Sequence, residues 1–256
     1  MKVIILCGGK GNPAPRRNRV QTQADGRNRR ASGAVAYHVH VRPVRSQGFC
    51  AAPRLQGEVI KQYFHDYRMR NADFTVDLAT GSTTYHPTAQ VTDWRVTMSD
   101  TGPETLKGAR IKRIAQHIDT DRFMVTYGDG VSDINISELV DFHIKSGKMA
   151  TFTGVRMPSR FGSVKTDENG NILSWQEKPV LDEYINCGFF VFKREFLDYL
   201  SEDESCDLEK EPLERLAAEG QLSMYRHTGF WQCMDTLRDA QALNSLWDKG
   251  NAPWCK

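Results

Sequence analysis

The sequence predicts an α/β protein with a mixed, mainly parallel central sheet flanked by helices. Short apolar runs alternate with stretches of helical periodicity along most of the chain, and this alternation is typical of a parallel sheet covered on both faces. Two of the apolar runs, residues 3–6 and 123–127, are followed by glycines, as expected for buried strands that enter glycine loops. With 256 residues, 39% of them hydrophobic, the chain can bury a full core. We therefore expect one domain over residues 1–256.

The elements follow in order after the first strand at residues 3–6. Apolar spacing predicts helices at 58–67, 106–118, 136–146, 208–219 and 236–247, and strands at 74–78, 94–98, 123–127, 150–155 and 189–192. A hairpin is predicted over residues 162–176, because a polar turn containing Asn169-Gly170 separates two short apolar runs. The last two helices end at Gly220 and Gly250, since glycine is favoured just beyond a helix.

Residues 12–56 differ from the rest of the chain. They show neither a strand nor a helix period, and they contain nine of the 34 basic and one of the 32 acidic residues, which leaves 25 basic and 31 acidic residues elsewhere. Such a composition alone is typical of a disordered basic arm. We expect this segment to be aberrant and poorly ordered.

Bulk properties exclude several classes of protein. No apolar run approaches the roughly 20 residues of a membrane helix, and the first apolar run is too short for a signal peptide, so the sequence predicts a cytoplasmic protein with no membrane partner. The cysteines form no CxxC pair and suggest neither a zinc site nor a disulfide framework. They are Cys7, Cys50, Cys187, Cys206, Cys233 and Cys255.

The first strand is followed by the glycine-rich sequence LCGGKG at residues 6–11. Glycines at the carboxyl end of a parallel strand let backbone N–H groups approach a phosphate. A glycine-rich turn without a ligand is an equally good interpretation of this motif alone.

Two carboxylates are candidates for a metal site. Asp129 lies between glycines at the end of a predicted buried strand, and Asp235 immediately precedes the last helix. Brought together at one sheet edge, they could bind Mg²⁺, which prefers oxygen ligands and neutralises phosphate charge. The alternatives are a turn residue for Asp129 and a helix N-cap for Asp235, which could also serve both roles.

The order of several phrases resembles the glucose-1-phosphate cytidylyltransferases, a family of nucleotide-diphospho-sugar transferases. These phrases are LCGGKG, DTGPETLKGARIKRI, YGDGVSDI, RFGSVKTDENGNILSWQEKP, INCGFFVF, EKEPLERLAAEGQL and GFWQCMDTLRD. The resemblance covers residues 1–11 and extends from Gly57 almost to the end. Thymidylyl- and uridylyltransferases share the glycine loop and the EKP motif, but YGDG and FWQCMDTLRD favour the cytidylyl branch.

The resemblance implies a Rossmann-like nucleotidyltransferase fold and a Mg²⁺-dependent enzyme that makes CDP-glucose and pyrophosphate from CTP and glucose 1-phosphate. It also implies a homo-oligomer that works in bacterial surface-polysaccharide deoxysugar synthesis, without a nucleic-acid partner. Residues 156–256 would hold the sugar phosphate and the C-terminal helices.

Individual roles follow from the same resemblance. The catalytic residues would be Asp129, Asp235 and Lys178, with Asp129 and Asp235 binding the metal. The nucleotide would contact Leu6, Cys7, Gly8, Gly9, Lys10, Gly11, Thr105, Arg110 and Gly128. The sugar phosphate would contact Gly162, Glu177, Lys178, Asn186 and Trp231.

The chain departs from the family pattern after Gly11. The family has an arginine and a KPKPM motif where this chain has Pro13 and, at residues 21–25, QTQAD with Gln23. Back-translated and read one base later, residues 12–38 can give TRLREETESKPKPMVEIGGRPVLWHIM, which restores every motif. We therefore interpret residues 12–56 as a shifted reading frame, and the alternative is a divergent arm.

The shift would remove a helix and a central strand, so we expect poor solubility and negligible activity of the chain as written. A catalytically dead sugar-nucleotide-binding subunit is the alternative function that the missing cations permit. An arginine-rich arm that binds nucleic acid is a third hypothesis, although the rest of the chain is acidic and has no nucleic-acid motif.

Overall fold

A computed structural model describes residues 1–7, 48–53, 57–86, 94–159 and 161–255, and centres on a seven-stranded sheet. The strands are β1 (Lys2–Cys7), β2 (Gly48–Pro53), β3 (Phe74–Val76), β4 (Thr83–Tyr85), β5 (Val96–Met98), β6 (Arg122–Tyr127), β7 (Gly130–Ser132), β8 (Ala150–Val155), β9 (Ser163–Thr166), β10 (Ile172–Gln176), β11 (Ile185–Lys193), β12 (Leu222–His227) and β13 (Trp231–Cys233). The α-helices are α1 (Gly57–His65), α2 (Tyr67–Asn71), α3 (Lys107–Arg113), α4 (Ile136–Ser146), α5 (Glu211–Ala218) and α6 (Leu237–Asp248). Short 3₁₀ helices cover Ala115–His117, Arg194–Tyr199 and Pro253–Cys255.

The central sheet has the strand order β12-β8-β11-β6-β1-β2-β5. Six strands run in one direction, and β11 runs antiparallel between β6 and β8. The carboxyl ends of β1 and β6 therefore meet the amino end of β11 at one edge of the sheet. Three small antiparallel pairs accompany it: β3–β4, β9–β10 and β7–β13.

Alternate side chains of the central strands point into two separate cores. On β1, Ile4 and Leu6 pack into one core, whereas Val3, Ile5 and Cys7 pack into the other. The first core includes side chains of α3 and α5, and the second includes side chains of α1 and α4. Because both faces are covered, the central strands are apolar on both sides. The predicted mixed, mainly parallel sheet flanked by helices is confirmed.

Strand β2 corrects one part of the expectation for residues 12–56, of which only 48–53 lie among the described residues. The backbone of Gly48–Pro53 pairs with β1 along its whole length and with β5 over three residues. This run, GFCAAP, contains no charged residue, and six residues rich in small side chains carry too little periodicity to be recognised. Pro53 stands at the strand end, where its missing N–H is tolerated. The expected loss of a central strand is wrong.

Most other predicted elements agree with the structure. Helix α4 and strand β8 have the predicted bounds, and the predicted helix at 106–118 divides into α3 and a 3₁₀ turn. Strands β4, β7, β12 and β13 were not predicted. Among the described residues, no helix has the length and apolarity required to cross a membrane.

Candidate active site

A cleft of about 190 Å³ opens at the sheet edge where β1 and β6 end. The residues that line it are Thr126, Tyr127, Asp129, Gly130, Asn186, Cys187, Trp231, Cys233 and Asp235. They come from β6, β7, β11 and β13 and from the residues beside these strands, so distant stretches of sequence converge there. Predicted residues Asp129, Asp235, Asn186 and Trp231 are thus brought together.

Asp129 occupies the turn between β6 and β7. Burial raises the pKa of its carboxyl group, the negative charge of Asp235 raises it further, and Lys107 opposes both effects. A buried carboxylate whose charged form is destabilised by a neighbouring carboxylate makes the cleft attractive to a cation. Asp129 is both the turn residue and a cleft residue.

Asp235 is positioned by the β7–β13 ribbon. Cys233 pairs with Gly130, and the Met234 N–H donates to the Asp129 carbonyl at 2.7 Å, which brings the two aspartates side by side. The proposed N-cap role of Asp235 is wrong, because Thr236 caps α6. The Thr236 hydroxyl accepts from the Asp239 N–H, and the Asp239 carboxylate accepts from the Thr236 N–H.

Cys233 contacts the same carboxylate. Its thiol donates to Asp235 Oδ2 at 3.1 Å. Burial and the Asp235 carboxylate raise the pKa of the Cys233 thiol to about 12. The group is therefore a neutral donor rather than a nucleophile.

Tyr127 supplies an aromatic wall that the sequence did not predict. Its hydroxyl donates to Glu209, and Lys107 pairs with both Glu209 and Asp207. Burial raises the pKa of Tyr127 well above its usual value, and the Glu209 charge adds to this effect. The hydroxyl is thus held protonated and turned toward Glu209. Its position directly before Gly128-Asp129 was the signal that could have identified it.

Asn186 and Trp231 are fixed by hydrogen bonds to the backbone. Asn186 Oδ1 accepts from the Gly188 N–H at 2.9 Å, and Trp231 Nε1 donates to the Cys187 carbonyl at 2.8 Å. Both residues line the cleft together with the two aspartates. They can offer polar and stacking contacts to a sugar.

Gly162, Glu177 and Lys178 lie together on the β9–β10 hairpin and outside the cleft lining. A Cβ on Gly162 would lie 3.2 Å from Glu177 Oε2, so the glycine allows this close approach. Lys178 has a φ of 47°, the only positive φ of a non-glycine residue in the described ranges. Such strain often marks a functional position.

Leu6 and Cys7 end β1 beside Gly128, whose N–H donates to the Leu6 carbonyl at 3.0 Å. Arg110 is 4% exposed, and it donates to the Cys7 carbonyl at 2.7 Å and to Thr101 Oγ1 at 3.2 Å. It thereby anchors the carboxyl end of β1.

Thr105 is fully buried and accepts from Arg113 Nη1 at 2.8 Å. The structure therefore gives it a supporting position outside the cleft lining. Some predicted positions lie outside the described residues, namely Gly8, Gly9, Lys10, Gly11, Pro13 and Gln23.

The fold is a nucleotidyltransferase-like α/β fold. It superposes on HddC from Yersinia pseudotuberculosis with a TM-score of 0.62 at 14% identity, covering 96% of this chain and 99% of that one. A putative glucose-1-phosphate thymidylyltransferase from Bacillus anthracis gives a TM-score of 0.62 at 16% identity, with coverages of 96% and 94%.

Sequence comparison gives the family. The model of the nucleotidyl transferase family matches residues 87–248. A glucose-1-phosphate cytidylyltransferase of Salmonella typhi is 38% identical over 99% of this chain and 98% of its own length. A probable glucose-1-phosphate cytidylyltransferase of Bacillus subtilis is 35% identical over 99% of each chain.

The chain belongs to the nucleotidyl transferase family. Its resemblance to the glucose-1-phosphate cytidylyltransferases, inferred from the motifs, is confirmed by these two relatives. The prediction that it is an enzyme of the nucleotidyltransferase type is confirmed with it.

Proposed function

We propose that this protein is built to make CDP-glucose and pyrophosphate from CTP and glucose 1-phosphate. The observation that carries the proposal is the pair Asp129 and Asp235 in one cleft, on a chain 38% identical to a glucose-1-phosphate cytidylyltransferase over nearly its whole length. Synthesis of deoxysugars for a bacterial surface polysaccharide is the context that we infer for the product.

The reaction is an in-line displacement. A phosphate oxygen of glucose 1-phosphate attacks the α-phosphorus of CTP, and the bond from that phosphorus to the bridging oxygen of the β-phosphate breaks. Pyrophosphate leaves with the electron pair. Such a reaction depends on positioning and on neutralising charge, and it needs no covalent enzyme intermediate.

The two aspartates are suited to Mg²⁺. Across the described residues no cluster of three or more His, Cys, Asp or Glu side chains is arranged to hold a metal, but Mg²⁺ is commonly held by one or two carboxylates together with substrate phosphates and water. The mutual repulsion that raises the pKa of Asp129 is relieved by a divalent cation. When bound, the ion would neutralise charge on the triphosphate.

The remaining roles divide between two sides of the cleft. On the nucleotide side, Leu6 and Cys7 end β1 directly before the glycine-rich sequence of residues 8–11, and Arg110 holds the Cys7 carbonyl in place. Gly128 approaches the Leu6 carbonyl closely.

On the sugar side, Asn186 and Trp231 line the cleft wall, and we assign sugar-phosphate contacts to them. The cation of this side is Lys178, and Gly162 and Glu177 shape the hairpin that carries it. A homo-oligomer is part of the same proposal, by resemblance to the family.

The chain as written is proposed to have negligible activity. The family's arginine and lysines are replaced by residues such as Pro13 and Gln23, which carry no charge for the reacting phosphates. For this reason a dead sugar-nucleotide-binding subunit is the second candidate function.

The test is Mg²⁺-dependent pyrophosphate release from CTP and glucose 1-phosphate. It is run on three proteins: this chain, a version with the frame restored over residues 12–56, and the restored version carrying Asp129→Asn. Parallel reactions with dTTP and UTP test the nucleotide.

We expect release only by the restored protein with an intact Asp129, and faster with CTP than with dTTP or UTP. Faster release with dTTP or UTP would assign the chain to a thymidylyl or uridylyl relative. Equal rates for the written and restored proteins would refute the proposed role of the missing cations. CTP binding without turnover by the chain as written would favour the dead subunit.

A further inference from the structure

The segment that carries Asp235 is held at both ends. At its carboxyl end the Met234 N–H donates to the Asp129 carbonyl. At its amino end, residues 228–230 connect β12 to β13 and are fastened to the start of the loop after β7 by Ser132, Asp133 and His227. The resemblance assigns no role to these three side chains.

One imidazole nitrogen is the centre of this attachment. His227 is 9% exposed, and its Nε2 lies 3.1 Å from Ser132 Oγ, Asp133 Oδ1 and the Phe230 carbonyl oxygen. The carbonyl and the carboxylate can only accept, and the Ser132 hydroxyl donates its proton to the Phe230 carbonyl at 2.8 Å. Nε2 must therefore carry the hydrogen and act as a donor.

Asp133 completes the attachment from the other side. Its Oδ1 accepts from the Phe230 N–H at 2.7 Å, and its own N–H donates to the Phe230 carbonyl at 3.1 Å. The Phe230 ring also packs on Trp254. Both backbone groups of Phe230 are thus fixed immediately before Trp231, the first residue of β13.

Gly229 passes close to the side chains of Asp133 and His227. A Cβ at this position would lie 2.3 Å from Asp133 Oδ1 and 2.8 Å from the His227 ring. Only glycine permits the chain to pass between them, so the path of the segment toward Asp235 is specified by side-chain packing as well as by strand pairing.

We propose that His227, with Asp133 and Ser132, is a positioning residue that holds the Asp235 carboxylate opposite Asp129 for cation binding. The inference rests on the proposed function for the identity of the cation. Its structural part, the placement of residues 231–235, stands independently of that function.

The test compares three variants with the unmodified chain. His227→Leu removes the Nε2 donor and keeps the volume, and His227→Gln returns an amide N–H close to the Nε2 position. His143→Leu is the matched control, because His143 is 1% exposed and bonds Thr151 Oγ1 at 2.9 Å. His143 packs near the amino ends of β8 and β12, whereas His227 is the last residue of β12, so the control lies at the other end of that strand.

Two quantities are measured: hydrogen exchange of the amides in residues 231–235, and Mn²⁺ affinity in the presence of CTP by electron paramagnetic resonance. For His227→Leu we expect exchange about tenfold faster, as for loss of a hydrogen bond to a charged group. We also expect Mn²⁺ binding about 10- to 100-fold weaker, the usual effect of removing a supporting partner of a metal site. His227→Gln should recover most of both, and His143→Leu should change neither.

The proposal is overturned if His227→Leu exchanges residues 231–235 no faster than His143→Leu, or if it binds Mn²⁺ as tightly as the unmodified chain does. An unmodified chain that binds no Mn²⁺ would instead refute the metal part of the proposed function. The positioning role of His227 would then be decided by the exchange rates alone.

Discussion

Gly188 has a left-handed backbone conformation and lies against the ring of the cleft residue Tyr127. Gly188→Ala tests both features. The residue has a φ of +83° at the irregularity of β11, and an added Cβ would lie 2.7 Å from Tyr127 Cδ2. The Tyr127 ring is held by Glu209 and packs edge-on against Phe190 at 5.9 Å. It therefore cannot move away without breaking other contacts.

The expected loss of stability has two parts. A non-glycine residue in the left-handed region costs about 1–2 kcal/mol, and overpacking in a well-packed region costs about 1–3 kcal/mol. Gly188→Ala should therefore lower the free energy of unfolding by about 2–5 kcal/mol. Gly170→Ala isolates the first part, because Gly170 has a φ of +84° and no atom within 4 Å of the added Cβ.

The measurement is urea unfolding of the two variants and the parent. We expect Gly188→Ala to be less stable than Gly170→Ala by about 1–3 kcal/mol, the overpacking part. Equal losses in the two variants would mean that the Tyr127 ring is not held as described, and the reasoning from its Glu209 contact would fail.

Three further changes test the charges and caps. Asp129→Asn should raise the unfolding free energy of the metal-free protein at pH 7 by a few tenths to about 1 kcal/mol after solvent screening. Because the pKa of Asp129 is raised in the folded protein, ionisation of its carboxyl group lowers the free energy of unfolding as the pH rises above the ordinary pKa of 3.8. A lower free energy of unfolding of Asp129→Asn in urea would contradict this prediction. Thr236→Ala should lower the free energy of unfolding in urea by about 1 kcal/mol, and Asn135→Ala, which removes the α4 cap, should lower it by about as much. Only Thr236→Ala should also weaken Mn²⁺ binding, because Thr236 follows Asp235. Equal Mn²⁺ binding by the two variants would refute this link. Burial lowers the pKa of His143 to about 4. The free energy of unfolding should therefore fall by up to about 3 kcal/mol as the pH drops from 6.5 to 4. A His143→Asn variant whose melting temperature changes with pH in the same way would contradict this prediction.

Long periodic segments made most of the fold predictable. Strands β1 and β6 are continuous apolar runs because helices cover both faces, and α4 has the amphipathic spacing and the terminal glycine that fix its bounds. Strands β7 and β13 have three residues each, too few to show a period. Strand β2 was missed because its pairing partners, β1 and β5, decide its conformation.

The candidate site was predictable only in part. Asp129 and Asp235 follow or precede recognisable elements, so their convergence at the sheet edge could be inferred. Tyr127 and Glu209 are 82 positions apart, and no local pattern reports such a contact. The same holds for Ser132 and His227, 95 positions apart.

The charge balance of the described cleft explains why the missing cations matter. Its wall carries two aspartates, the nearby Lys107 is paired with both Asp207 and Glu209, and Arg110 is committed to the end of β1. The proposed substrates, CTP and a sugar phosphate, would bring several more negative charges into this region. A bound divalent cation and Lys178 would offset only part of them, so the balance would depend on the segment that follows Cys7. There the family pattern supplies an arginine and lysines, and this chain supplies uncharged residues at Pro13 and Gln23. With neutral residues at these two motif positions, we expect negligible turnover by the chain as written, even though β2 pairs with β1 and β5 in the sheet.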